Sequence, residues 1–157
     1  CGYLALNSAL VSNADFILVP EITVDLDAVS SKIIEKIKVQ NSFIIICSEG
    51  CKPSYKPGEQ IIVPEFAKII EEKTGIRARQ SILGYGQRNG IPNTEELYKS
   101  NKLAYYLKKA IDDGIYNVLV GLSYNGDASY VKLGNVKTRV INKEHENFKM
   151  AVMRGII

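Results

Sequence analysis

The chain has 157 residues, 46% of them apolar and 24% charged, with a net charge of +3. A chain of this length can bury roughly 70% of its unfolded surface in one ordinary core, and its composition excludes the disordered and fibrous classes. No apolar run nears the ~20 residues of a membrane span, no signal-peptide pattern is present, and a small, scattered positive charge excludes a nucleic-acid footprint while admitting a small anionic ligand.

In chain order, "GYLALNSALVSNA" places Leu4, Leu6, Ala9 and Leu10 near helical spacing, with Asn13 as the stop. "DFILVPE" is a short, nearly all-apolar run, the mark of a strand covered on both faces. Asp25 or Asp27 can cap "AVSSKIIEKIKVQN", whose apolar face is Val29, Ile33, Ile34 and Ile37. "SFIIICSEG" reads as a second buried strand, "GCKPSYKPGEQ" as an exposed loop, and "VPEFAKIIEEKTG" as a third helix ended by Gly75. "IRARQSIL" reads as a strand with Arg77, Arg79 and Ser81 on one face. A long helix runs from about Asn93 to Asp112, with Asn93 and Glu96 at capping-box spacing. "YNVLVGLSY" and "ASYVKLG" read as strands joined through "NGD", and a last helix covers about 143 to 154.

Alternation of helix and strand predicts an α/β fold with a parallel sheet. Ligands of such sheets sit at the carboxyl edge of the strands, which here holds Pro20-Glu21, Ser48-Glu49-Gly50 and Gly84 through Gly90. The chain begins at Cys1 with no methionine and its first residues already read as helix, so it is expected to be cut from something longer.

Chemistry concentrates in few places. The three cysteines, Cys1, Cys47 and Cys51, form no framework of paired bridges and fit a reducing cytoplasm. C-x-x-x-C without a histidine partner is not a zinc pattern, so the thiols read as buried or incidental and no metal site is expected. The one histidine, His145, lies in the polar run "NKEHENF" and reads as solvated, leaving a Ser-His or Cys-His hydrolase without support. "GYGQRNG" is one residue too long for the dinucleotide fingerprint. Arg88 among those glycines can approach a phosphate together with the backbone. Arg79, Tyr85 and Arg88 bordering one cleft would suit a sugar phosphate, and Glu49, just after an apolar strand, would accept from sugar hydroxyls.

In this order the pieces resemble the phosphofructokinase family. "CGYLALNSALVSNADFILVPE" is similar to the family's helix after Met-Gly-Arg and the strand ending in Pro-Glu, "IIICSEG" to the strand ending in Glu-Gly, and "SILGYGQRNGIPNT" to Leu-Gly-His/Tyr-x-Gln-Arg-Gly-Gly-x-Pro-Thr. The resemblance covers Cys1 to about Leu122. It implies a three-layer parallel-sheet sandwich with an incomplete second lobe. Residues 1–83 would form most of the sugar-phosphate lobe, 84–142 the C-terminal part of the donor-binding lobe, and 143–157 a terminal helix.

Roles follow residue by residue. Glu49 would hold hydroxyls of fructose 6-phosphate, Tyr85 and Arg88 would bind the substrate, and Arg79 would reach the 6-phosphate in a neighbouring subunit's site. Asp15 and Lys38 fall near positions of an effector site, although Gln40 replaces an expected basic residue. Asn89 replaces the first glycine after the arginine, making the turn less permissive, Asn93 replaces threonine, and Glu96-Leu97 replaces an Asp-Arg pair.

The Gly-Gly-Asp donor loop and the Thr-Ile-Asp catalytic aspartate of the family have no match in these 157 residues. The catalytic residues are therefore expected outside this chain, which alone should be inactive. The resemblance implies a cytoplasmic glycolytic enzyme transferring phosphate from ATP or diphosphate, with Mg2+, to fructose 6-phosphate, as a homodimer or homotetramer. The alternative is a degenerate, non-catalytic sugar-phosphate-binding or regulatory subunit.

Overall fold

The computed structural model describes residues 2–54, 58–61 and 63–157, so Cys1 and part of the expected loop between 50 and 60 lie outside the described residues. The elements in order are α1 (Tyr3–Ser12), β1 (Phe16–Leu18), α2 (Leu26–Ile37), β2 (Ile45–Cys47), α3 (Val63–Thr74), a 3₁₀ turn (Gly84–Arg88), α4 (Thr94–Asp112), β3 (Val118–Leu122), β4 (Ala128–Lys132), a second 3₁₀ turn (Leu133–Asn135) and α5 (Glu146–Met153). They form two compact units, Cys1–Ile82 with Arg139–Ile157, and Leu83–Thr138.

The first unit is built on two parallel strands, with Phe16 opposite Ile45, Ile17 opposite Ile46 and Leu18 opposite Cys47. Successive strand residues face opposite sides, and both sides are covered. Ile17, Val19 and Ile46 pack with Leu6 and Ala9 of α1 and Phe148 and Ala151 of α5. Phe16, Leu18, Ile45 and Cys47 pack with Val29 and Ile33 of α2 and Phe66 and Ile70 of α3. This is the expected α/β sandwich of helix, parallel sheet and helix, and two-sided burial is why both strands are apolar throughout.

Local signals act as the residues dictate. Asn13 takes the left-handed conformation (φ 58) and ends α1. Asp25, the nearer of the two candidate caps, accepts from the Asp27 and Ala28 amides at 2.9 and 3.2 Å. Gly75 follows α3 at φ +69. Leu4 departs from its expected place: it is 65% exposed while Ala5, Leu6 and Ala9 are buried, because two positions carry a side chain about 200° round a helix. His145, read as a solvated residue, caps α5, its Nδ1 accepting from the Asn147 amide at 3.2 Å.

The expected strand at residues 76–83 is not a strand. Its alternation is real, since Ile76 and Ala78 are half-buried and Arg77 and Arg79 exposed. Local acceptors hold two of its amides instead: Ile76 N–H donates to Thr74 Oγ1 at 3.1 Å and Ala78 N–H to Glu71 Oε1 at 2.7 Å. Such bonds compete directly with ladder pairing.

The terminal helix α5, expected as a segment by itself, is part of the first unit. Arg154 ties it to α1, donating to Leu10 O at 3.1 Å and Asn13 Oδ1 at 2.6 Å. Beyond it, Ile17 N–H donates to Ile156 O at 2.7 Å, so the last residues line the outer edge of β1.

Gly2 approaches β1 closely. A Cβ there would lie 2.5 Å from Val19 Cγ1 and 2.9 Å from Ile141 Cδ1. Gly2→Ala is therefore expected to cost about 1–3 kcal/mol through overpacking, read as a lower urea midpoint. An unchanged midpoint would show that α1 can slide to make room.

In the second unit Asn93 closes the full capping box on α4, its Oδ1 accepting from Glu96 N–H at 2.9 Å and its own N–H donating to Glu96 Oε2 at 2.8 Å. β3 and β4 form an antiparallel hairpin, turned at Gly126 with φ +82. Of the 19 residues of α4 only Ala110 is buried, while Leu97, Tyr98, Tyr105 and Leu107 are at least half exposed.

Candidate functional site

Because β1 and β2 are parallel, the turns leaving their carboxyl ends emerge together: a Cβ on Gly50 would stand 3.7 Å from Pro20 Cγ. Ser48 stitches the two, its amide and its hydroxyl both donating to Leu18 O at 3.0 Å. Gly50 takes φ +83, a conformation that favours glycine. Between them, Glu49 is held exposed at the strand end. The other glutamate of this edge, Glu21, is committed to the fold, its Oε1 accepting from the Gly2 amide at 3.2 Å and the Ile141 amide at 3.1 Å.

Cys47 and Cys51 bracket Glu49. Cys51 is buried, its Sγ 3.4 Å from Ser48 Oγ, whereas Cys47 is half-buried, its Sγ 3.6 Å from Ser48 O. The neighbouring Cys51 thiol, and then burial, push Cys47 far above the ordinary thiol range. Cys51 is lowered, by Cys47 first and against the effect of burial, with help from Ser48.

Beside β2 lies a groove of about 660 Å³ whose walls come from α2, β2, α3 and the 76–81 segment. Phe66, Ile70 and Ile76 make its apolar side, Arg77 and Arg79 stand on its polar side, and Cys47 opens into it. Arg79 thus belongs to the exposed rim of the first unit.

Tyr85 and Arg88 share the 3₁₀ turn of the second unit, with the guanidinium carbon 5.5 Å from the Tyr85 ring centroid. Both are exposed, and their stacking presents a cation and a hydroxyl in one place. Gly84 carries the positive φ of this turn (+49), and Asn89 sits at φ −98. The asparagine expected to stiffen the turn therefore occupies a conformation open to any residue. The structure groups Tyr85 with Arg88 in one unit, and places Glu49 and Arg79 in the other.

Asp15 is already engaged. One carboxylate oxygen accepts from Lys36 Nζ at 3.0 Å and Gln40 Nε2 at 2.9 Å, the other from the Ile44 amide at 2.8 Å. Lys38, its expected companion, is exposed at the C-cap of α2. Gln40, read only as a missing basic residue, joins Lys36 and the Ile44 amide in binding Asp15.

The phosphofructokinase family model matches residues 1–111. The chain is 35% identical over 127 residues to an ATP-dependent 6-phosphofructokinase of Sulfurimonas denitrificans, covering 80% of this chain and 37% of that protein. It is 30% identical over 150 residues to a pyrophosphate–fructose 6-phosphate 1-phosphotransferase of Thermoproteus tenax, covering 90% and 44%. The crystal structure of a pyrophosphate-dependent phosphofructokinase from Nitrosospira multiformis superposes with a TM-score of 0.70 at 20% identity, covering 94% of this chain and 41% of that one. The chain thus spans about two fifths of the length of these relatives. With the Glu49 strand end and the Arg88 turn both inside the matched residues, the chain belongs to the phosphofructokinase family.

Proposed function

We propose that this chain is the acceptor-binding portion of a phosphofructokinase, which phosphorylates fructose 6-phosphate at the expense of ATP or diphosphate. The observation that carries the reading is the exposed Glu49 at the carboxyl end of a half-buried parallel strand, in a chain that also presents Tyr85 and Arg88 on one turn. Glu49 accepts from sugar hydroxyls, Tyr85 donates or accepts at the sugar, and Arg88 forks onto phosphate oxygens. Arg79, on an exposed rim, serves a neighbouring subunit of a homodimer or homotetramer.

On this reading the first unit is the sugar-phosphate lobe and the second belongs to the donor-binding lobe. The names of the relatives divide between ATP and pyrophosphate, so both donors stay in the proposal. A cytoplasmic location goes with it, and among the described residues no helix is long and apolar enough to cross a membrane. The complete enzyme would use Mg2+, which is held chiefly by the donor's phosphates with one or two carboxylates; among the described residues no group of three or more His, Cys, Asp or Glu is placed to hold a metal ion. Asn89 sits without backbone strain and Asn93 closes a complete capping box, so the fold accommodates both substitutions.

Calorimetric titration with fructose 6-phosphate tests the clamp. Arg88→Ala is expected to weaken binding by about tenfold or more, the worth of a charge-assisted hydrogen bond, with Arg77→Ala unchanged. Equal losses from both would mean a diffuse basic surface rather than a built site.

A further inference from the structure

We propose that Glu71 is the positioning residue for Arg79, fixing the backbone from which that arginine reaches the sugar phosphate, an inference that rests on the role given to Arg79 above. Residues 76–82 leave α3 without joining either sheet. Among the described residues, only two of their backbone groups are hydrogen-bonded, and both bonds go to the last turn of α3: Ile76 N–H donates to Thr74 Oγ1 at 3.1 Å and Ala78 N–H to Glu71 Oε1 at 2.7 Å. The Thr74 hydroxyl in turn donates to Ile70 O at 2.6 Å, fastening the chain where it leaves the helix. Glu71 reaches seven residues along and holds the last anchored residue, to which Arg79 is joined directly.

Consecutive Cα atoms are about 3.8 Å apart, so the place of Arg79 follows from that of Ala78. Arg77 lies between the two anchors, whereas Gln80, Ser81 and Ile82 beyond Arg79 are exposed. Ile76 packs against the buried cluster that includes Phe66 and Ile70, and the two-residue alternation turns Arg77 and Arg79 outward. A single methyl buries little apolar area, so at Ala78 the inward turn depends on the bond to Glu71 more than on packing. The acceptor is a carboxylate, which makes that bond one of the stronger kind.

The helix itself does not favour an acid at this position. Glu71 lies in the last turn of α3, where the helix dipole favours cations and disfavours a carboxylate. A residue that opposes its own helix while holding the arginine segment breaks a local rule in the way functional sites do. The benefit is to binding: an arginine on anchored backbone meets a phosphate without first having to be ordered, and that ordering would otherwise lower the affinity.

Amide hydrogen exchange in the ligand-free 157-residue chain, followed residue by residue by NMR, tests the clasp. Ala78 N–H is expected to exchange about tenfold faster or more in Glu71→Ala than in the unaltered chain, while Ile76 N–H, held by Thr74, keeps its rate. Glu71→Met, which has a long side chain without the carboxylate, is expected to behave like Glu71→Ala, and Glu71→Gln, which keeps an acceptor oxygen, to leave Ala78 slow. An Ala78 amide that exchanges as fast in the unaltered chain as in Glu71→Ala and Glu71→Met would overturn the proposal.

Calorimetric titration with fructose 6-phosphate then reads the positioning. Arg79→Ala is expected to weaken binding about tenfold and Glu71→Ala about fivefold, with Glu71→Gln within about twofold of the unaltered chain. The double variant Glu71→Ala with Arg79→Ala is expected to bind no more weakly than Arg79→Ala alone, because Glu71 acts only through the arginine. Losses that add would make Glu71 a structural residue and overturn its positioning role. A chain that binds no sugar, or an Arg79→Ala variant that binds like the unaltered chain, would defeat the function proposed above for Arg79, while the exchange rate of Ala78 still decides whether Glu71 fixes the segment.

Discussion

Mixed with magnesium ATP, or with magnesium diphosphate, and fructose 6-phosphate, the 157-residue chain is expected to form no fructose 1,6-bisphosphate above the rate without protein. Phosphoryl transfer requires a positioned acceptor, a base on its hydroxyl, a metal-bound donor and cations on the moving phosphoryl. In the function proposed above, Glu49, Arg79, Tyr85 and Arg88 serve the first requirement only. The sequence contains neither Gly-Gly-Asp nor Thr-Ile-Asp, the segments that carry donor and base in the family it resembles. Groups that act together in a transition state are not lost by halves, so removing donor and base costs orders of magnitude in kcat. A coupled assay for the bisphosphate decides it, read beside the sugar titration. Sugar binding without turnover fits the acceptor-site reading, whereas product formation would mean that a donor site and a base are encoded in these residues and that the roles carried over from the resemblance are wrong.

What could be read in advance follows the range of each interaction. The parallel strands were legible in "DFILVPE" and "SFIIICSEG" because a strand covered on both faces has no polar alternation to hide it, although the second is only half-buried. The Asp25 and Asn93 caps and the Gly75 stop were legible because each interaction closes within one turn of helix. The 76–83 strand failed for the opposite reason. Its two-residue alternation holds only from Ile76 to Arg79, with residues 80–83 all exposed, and which acceptor takes the Ile76 and Ala78 amides depends on Thr74 and Glu71 of the preceding helix. At the candidate site, Glu49 and the Arg88 turn were legible as motifs.

Asp15→Ala is expected to destabilise the first unit by about 2–3 kcal/mol, the largest stability effect of any polar residue considered for the site. Its carboxylate joins three elements, standing before β1 and accepting from Lys36 and Gln40 at the end of α2 and from the Ile44 amide at the start of β2. Its side chain is 13% exposed, whereas Lys36 is 48% exposed, so the ion pair supplies little and Lys36→Ala should cost about 0.5 kcal/mol or less. Most of the loss comes from the hydrogen bonds that the Gln40 side chain and the Ile44 amide make to the carboxylate. Burial acts to raise the Asp15 pKa, but the hydrogen bonds from Gln40, the Ile44 amide and Lys36, with the Lys36 charge, outweigh it and hold the carboxyl below the ordinary range. A carboxylate depressed in the folded state contributes stability that is fully present above its unfolded pKa, about 3.9, and is lost as pH falls from there through the lower folded value. The gap between wild type and Asp15→Ala in urea should therefore be full near neutrality and narrow on the acid side of about pH 4. A wild-type midpoint for Asp15→Ala, together with loss of a phosphorylated effector's binding, would reverse the assignment and make Asp15 a ligand rather than the clasp between β1, α2 and β2.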